Sequence, residues 1–355
     1  MKPMPSHKQR LFYLDWVRAL ATVLIVIAHF NNPVLTNRPA FPNAPFGIYI
    51  GDLGVSQFLI ISGAALMYTY EDEEHLDLKT FFWKRFKSIY PMFWIAFAIA
   101  NAYSFVVSRG SSASRAPKLS LILSLIGMDG YLSNAGLSTF YILGEWFLGF
   151  IVFFYIVFPL LRYGVIHHPW ITAGLGLAAY AATLLLHPHL GQMPENLLLT
   201  TRIPELCFGM YFVRYVNTVS HPVALIAAVL LVFQALTGQI PGSFAVTVVG
   251  MASFLLLVWI SRWIEYRPIK IIVGSISNYS YAIFLVHHLV IKQMFAIVPA
   301  ERVIGSLSVY VLFFVDILVI AALSYLLQRL NKGTMIYVRS MFTGFDKTLQ
   351  KQARA

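Results

Sequence analysis

Apolar residues run along this chain in long blocks, each closed by a short polar connection, over 11–30, 47–70, 89–108, 139–161, 170–188, 196–216, 222–237, 243–263, 271–297 and 303–327. A helix rises about 1.5 Å per residue, so roughly 20 residues cross a hydrocarbon core about 30 Å thick. Lipid offers backbone groups no partner, and the ten-residue alternation of a barrel strand is absent. The pattern therefore predicts an all-α integral membrane protein of about ten transmembrane helices. Residues 119–138, LSLILSLIGMDGYLSNAGLS, are apolar and then glycine-rich, which fits a short re-entrant or outer-face helix better than a full span. The first block, Leu11 to Phe30, has span length, contains charges and lacks a following small-residue cleavage site, so it is expected to stay in the protein. The longest hydrophilic stretches, Glu71–Lys87 and the tail after Arg329, are too short for a second folded domain. The organisation expected is a short segment 1–10, one membrane domain 11–330 and a basic tail 331–355, with no duplicated halves evident.

Composition sharpens this picture. Of 355 residues, 58% are hydrophobic and 12% charged, against roughly 45–50% and 25% in soluble domains, which excludes a soluble globule. Cys207 is the single cysteine, so a disulfide framework and a cysteine-cluster metal site are excluded by counting. The net charge of +11 raises nucleic acid as a partner, but the position of the charges decides otherwise. With the N-terminus cytoplasmic, the inner segments hold 18 Lys and Arg, and the outer loops hold 5: Arg38, Arg109, Arg115, Lys118 and Arg302. Such a bias sets orientation, places both termini in the cytoplasm and assigns the excess charge to anionic lipid, with no nucleic-acid partner.

Ionisable residues inside spans are the informative ones, because each costs roughly 2.5–3.5 kcal/mol at mid-membrane on insertion scales. Span one carries Asp15, Arg18 and His29. The eleven residues from Arg18 to His29 amount to three helical turns plus roughly 20°, so both side chains share one face about 16 Å apart along the axis. Arg18 then lies toward the inside and His29 toward the outside. Asp15, three residues before Arg18, is placed to pair with it. Taken singly, a snorkelling arginine and a water-facing histidine are ordinary structural features, whereas a shared stripe points to a path. Arg202 and Glu205 form an i, i+3 pair that either braces the bundle or contacts substrate. Lys292 and Asp316 are single charges in spans nine and ten, candidates to partner one another. Glu71-Asp72-Glu73-Glu74 reads as a solvated loop. His167-His168 and His187-Pro188-His189 sit at span ends without further ligands nearby, so no metal is predicted.

The chain resembles the integral-membrane acyltransferase 3 family, whose first helix carries a basic residue, ten intervening residues and a histidine, as Arg18 and His29 do. Phe58-Leu59-Ile60-Ile61-Ser62-Gly63 resembles the family's Phe-Phe-x-x-Ser-Gly stretch, and Phe81 to Pro91 its basic approach to span three ending Ile-Tyr-Pro. Trp146-Phe147-Leu148 with Tyr155 and Pro159 resembles its span-four pattern. Ser277-Asn278-Tyr279-Ser280-Tyr281 with Leu285 and His287 resembles its span-nine ending. The resemblance covers about residues 11–330. Two departures stand out. Arg85-Phe86-Lys87-Ser88 lacks the second arginine of the common Arg-x-x-Arg, and Ile151 stands where one subgroup has a glutamate, a place that Glu145 does not obviously fill.

The resemblance implies a multi-pass enzyme of the bacterial cytoplasmic membrane that moves an acyl group, usually acetyl, from cytosolic acyl-coenzyme A to a hydroxyl of a glycan or lipid-linked sugar. Acetyl-CoA would be the donor substrate, with no metal. Arg18, Arg85, Lys84 and Lys87 suit its phosphates. His29 suits a general base for a sugar hydroxyl, and an acyl-histidine intermediate fits the sequence equally. Asp15, Ser62, Tyr279, His287, Arg202 and Glu205 are the supporting candidates, for which helix packing is an equally good reading. The competing classes are a secondary transporter and a glycan-binding sensor without chemistry. Dependence on acyl-CoA separates the first reading from both.

Overall fold

The computed structural model describes residues 8–31, 38–109, 116–140, 142–144, 146–190, 193–303 and 307–352, and for 188–190, 300 and 341–352 the backbone alone. Every regular element among them is helical. The long helices are α1 (Phe12–Asn31), α2 (Ile50–Tyr70), α3 (Leu78–Val107), α6 (Trp146–His167), α7 (Pro169–Leu190), α8 (Leu199–Tyr211), α9 (His221–Thr237), α10 (Gly242–Ser261), α11 (Arg267–Ile297) and α12 (Ser308–Gln352), with two short ones, α4 (Leu121–Leu125) and α5 (Asp129–Ser133). Eight of the described helices are long and apolar enough to cross a membrane. The other two long elements are α8, extended by a wider turn over Phe212–Val216, and the 17-residue α9. The chain is a multi-pass membrane protein.

Three boundaries differ from those expected. α3 begins eleven residues before position 89, because Asp77 caps it by accepting from the amides of Lys79 and Thr80 at 3.1 and 3.3 Å and from the Thr80 hydroxyl at 2.5 Å. The basic stretch Lys79–Lys87 is therefore helix and not loop. Residues 119–138 form two single-turn helices broken at Gly127 (φ +75°). The last helix runs past the expected end at 327, since α12 continues unbroken to Gln352.

α1 packs against α2, α10 and α11, which makes it the central rod. α11 in turn carries α12, and α2 lies against α8. The α2–α8 contact is set by two glycines: a Cβ on Gly209 would lie 1.9 Å from the Ile60 carbonyl oxygen, and one on Gly63 2.0 Å from that of Leu206. With apolar lipid as the alternative solvent, such close backbone approach is the main source of helix association. Arg162, buried on α6, caps the C-terminus of α2 by donating from Nε to the Tyr70 carbonyl at 2.9 Å and from Nη2 to that of Glu73. The acidic run is partly neutralised, since Lys8 pairs with Glu71 at 3.1 Å and Asp72 at 2.6 Å. Lys292 is exposed and Asp316 fully buried with neither carboxylate oxygen hydrogen-bonded among the described residues, so the two are not partners.

Candidate active site

A cavity of about 690 Å³ lies inside the bundle, walled by α1, α2, α3, α6 and α11, with both Arg18 and His29 on its surface. The sharing of one helix face by these two residues follows from the period of α1 alone, and the neighbouring helices turn that face into one wall of a half-open cavity. Phe58 and Ser62, one turn apart on α2, line it, as do Trp146, Phe147, Ile151 and Tyr155 of α6 and Tyr281 of α11.

At one end stands Arg18, 31% exposed at its side chain. The carboxylate expected to hold it is held by another residue. Asp15 Oδ2 accepts from Arg10 Nε at 2.5 Å, and Oδ1 accepts from Arg10 Nη2 at 2.8 Å and from Ser277 Oγ at 2.6 Å. Arg18 Nη1 reaches Asp15 only at 3.9 Å and Ser277 Oγ at 3.5 Å. A two-pronged fork with both carboxylate oxygens outcompetes the single i, i+3 contact. Arg10 was missed because the path of the segment before α1 is not written in any periodicity.

The other basic candidates separate. Arg85 stacks its guanidinium 5.7 Å from the ring of Tyr155, which lines the cavity, and its buried Nε has no hydrogen-bond partner among the described residues. Lys84 and Lys87 are exposed, lie over the rings of Tyr70 and Trp83 at 5.6 and 5.3 Å, and do not line the cavity.

Further along, the Nδ1 of His29 lies 2.9 Å from the Ile25 carbonyl oxygen. A carbonyl only accepts, so this contact assigns the proton to Nδ1 and leaves the lone pair on Nε2. The ring meets His287 edge-to-face at 4.7 Å and His288 at 5.5 Å. His287 is buried behind it, donating from Nδ1 to the carbonyls of Phe284 and Ile283 at 2.9 and 3.0 Å, with no partner for Nε2 among the described residues. Just before α6, Gly144 (φ +77°) lies so close that a Cβ there would meet His288 Cγ at 2.8 Å. His288 was missed although it is the next residue to a named candidate. Among the described residues no group of three His, Cys, Asp or Glu is arranged to hold a metal.

Ser62 donates to the Phe58 carbonyl at 2.6 Å and lines the cavity. Tyr279 does not. Its ring packs 6.3 Å from Tyr325 of α12, while Tyr281, about 200° further round the helix, lines the cavity and donates to the Ile89 carbonyl at 3.1 Å. Ile151 lines the wall, so where a subgroup of the family has glutamate this chain presents an apolar surface. Glu145, Arg115 and residues 1–7 lie outside the described residues, as does the side chain of His189.

Arg202 and Glu205 form a buried pair, Nη1 donating at 3.0 and 3.3 Å to the two carboxylate oxygens. Arg202 also donates from Nε to the Asn196 carbonyl at 2.9 Å and from Nη2 to Asp52 Oδ1 at 3.4 Å. Asp52 and Asn196 line the cavity; Arg202 and Glu205 stand behind them. Asp52 lies inside the second apolar block, so the criterion that singled out Arg18 and His29 applied to it equally and went unused.

The sequence profile of the acyltransferase 3 family, described as an acyltransferase domain, matches residues 11–327. The chain belongs to that family and is a membrane acyltransferase. It is 22% identical over 315 residues to the acyltransferase MdmB of Streptomyces mycarofaciens, covering 81% of each chain. No solved structure matches it.

Proposed function

We propose that this protein is an O-acyltransferase of the bacterial cytoplasmic membrane, moving an acyl group, most readily acetyl, from cytosolic acyl-CoA to a hydroxyl of a surface or exopolysaccharide glycan or its lipid-linked precursor. The observation that carries the reading is the single cavity bounded by the guanidinium of Arg18 and the imidazole of His29. Arg18 at the cytoplasmic end, with Arg85 beside the wall, suits the phosphates of coenzyme A, whose long arm then runs along α1 toward His29. At the imidazole, Nε2 accepts the proton of the acceptor hydroxyl as its oxygen attacks the thioester carbonyl. The C–O bond forms, the C–S bond breaks, and the proton passes from the imidazolium to the departing thiolate. Fixing Nδ1–H on Ile25 keeps the basic nitrogen pointed at one place, which is the role of an orienting partner in general base catalysis.

The test is purified protein in lipid nanodiscs with labelled acetyl-CoA and a glycan acceptor. His29→Ala is expected to lower transfer by about 10²–10⁴ while the protein remains inserted and monodisperse. Arg18→Lys is expected to raise the donor KM more than it lowers kcat, because a planar fork is exchanged for a point charge. Transfer unaffected by His29→Ala removes the mechanism, and substrate movement without acyl-CoA restores the transporter reading.

A further inference from the structure

We infer that Asp52 is the specificity-determining group for the acceptor, and that it selects a hydroxyl acceptor without negative charge near the reacting ring. This rests on the acyl-transfer reading above and goes beyond it. Among the residues lining the cavity, the ionisable ones other than tyrosine are Arg18, His29 and Asp52. Arg18 and Asp52 lie toward opposite ends of the path: Arg18 is eleven residues before His29 on α1, whereas Asp52 lies in the first turn of the oppositely running α2, whose Gly54 packs on Ile25, so Asp52 stands near the level of Ile25 and His29. The cavity is thus cationic at one end and anionic at the other.

The negative charge at the Asp52 end is not cancelled. The guanidinium behind it, Arg202, is shared between two carboxylates. Glu205, fully buried, takes the closer contacts at 3.0 and 3.3 Å, and Asp52 has one at 3.4 Å. Both hydrogen bonds to Asp52, from Arg202 Nη2 and from Asn196 Nδ2 at 3.1 Å, land on Oδ1. No hydrogen bond is made by Oδ2 among the described residues, so on this lining side chain, 24% exposed, it is left to accept from a ligand. A held carboxylate oxygen accepts from a hydroxyl and repels a second carboxylate, so it acts as an attractive and a repulsive element together. The anionic donor is disfavoured beside Asp52 for the same reason, which keeps its phosphates at the Arg18 end of the cavity.

The experiment uses the full-length protein in nanodiscs and a pair of probes, p-nitrophenyl β-D-glucoside and p-nitrophenyl β-D-glucuronide, which differ at C6, a hydroxymethyl in the first and a carboxylate in the second, while both keep the ring hydroxyls as acceptors. Occupancy is read both as acetylated product and as inhibition of the slow hydrolysis of acetyl-CoA. The wild type is expected to favour the glucoside at least tenfold, Asp52→Glu to retain the preference, and Asp52→Asn to reduce it to within about twofold. Because the readout is a ratio within one preparation, partial misfolding of a variant cancels. Equal occupancy by both probes in the wild type, or an unchanged preference in Asp52→Asn, overturns the inference. Acetyl-CoA turnover that neither glycoside inhibits overturns the acceptor assignment alone. Absence of both acetyl-CoA binding and turnover overturns the acyl-transfer reading and the inference with it, and is recognised before any acceptor ratio is reached.

Discussion

Replacing Gly209 by alanine tests whether the α2–α8 contact is as close as it stands. The added Cβ would lie 1.9 Å from the Ile60 carbonyl oxygen, 2.8 Å from its carbon and 2.9 Å from the amide nitrogen of Ala64. A carbon–oxygen contact settles at about 3.3–3.6 Å, so the helices must part by more than about 1 Å, and the obstacle is backbone, which has no rotamer by which to yield. A gap of 0.5–1 Å forfeits roughly a quarter to a half of each dispersion contact across the seam. Lipid supplies no hydrophobic penalty to drive the pair back together. We expect a loss of about 3 kcal/mol, the upper part of the range for overpacking. Gly63→Ala, whose Cβ would meet the Leu206 oxygen at 2.0 Å, should behave alike. Gly174→Ala on α7, with nothing within 4 Å, should be neutral or stabilising by up to about 1 kcal/mol. The assay is thermal melting in detergent followed by size-exclusion chromatography. α2 also carries Asp52, Phe58 and Ser62, so the variants that melt early should lose acyl transfer as well. A Gly209→Ala protein that melts with the wild type refutes the packing argument.

Arg202→Ala leaves Glu205 buried without its cation and should cost about 3–5 kcal/mol, partly restored in Arg202→Met/Glu205→Gln, as read by the same melts. Arg10→Gln removes the fork from Asp15, so Arg18 is drawn to that carboxylate. The affinity for acetyl-CoA in a binding titration should fall about tenfold, the worth of one charge-assisted hydrogen bond at about 1.4 kcal/mol. At the start of α3, the Thr80 hydroxyl and amide, with the Lys79 amide and charge, hold the Asp77 carboxyl below its ordinary value of 3.8. A depressed folded-state pKa stabilises above the unfolded value and loses that contribution as the pH falls through the folded one. Hydrogen exchange of the Lys79–Phe81 amides, corrected for intrinsic rates, should therefore show protection at neutral pH that declines only on the acid side of 3.8. Asp77→Asn should flatten that profile.

Features that depend on one helix alone were legible in the sequence. The ten long helices follow from apolar runs, and the shared face of Arg18 and His29 follows from the period of α1. The early start of α3 was also locally encoded, in Asp77 followed by Lys79 and Thr80, but the polar character of 79–87 masked it. Features that depend on which face of a helix turns inward were not legible. Tyr279 and Tyr281 are equally aromatic, and only the packing of α11 against α1, α3 and α12 decides that Tyr281 meets the cavity. The Arg202–Asp52 contact joins residues 150 apart in sequence, and neither position hints at the other. His288 lay beside a named residue, yet its approach to His29, with the backbone of Gly144 against its ring, depends on how α1, α11 and the segment before α6 pack.

The position of Asp15 supports the proposal that the intramembrane Arg18 serves as an anion site and not as a brace. Had Asp15 bonded Arg18 with both oxygens, the pair would have been self-sufficient, as Arg202 and Glu205 largely are, and an incoming phosphate would compete with a carboxylate already in place. Arg10 instead takes both oxygens, Ser277 donates to one of them, and Arg18 keeps only a 3.9 Å and a 3.5 Å contact. The network therefore carries one positive charge more than it neutralises, on the side chain that lines the cavity. At the other end the same arithmetic runs with opposite sign, one guanidinium between two carboxylates, and the surplus lies on Asp52, which again is the lining residue. On the proposed reading, an active site that admits an anionic donor and a hydroxyl acceptor without exchanging their places is served by two such unbalanced clusters, with the imidazole on the wall of the same cavity.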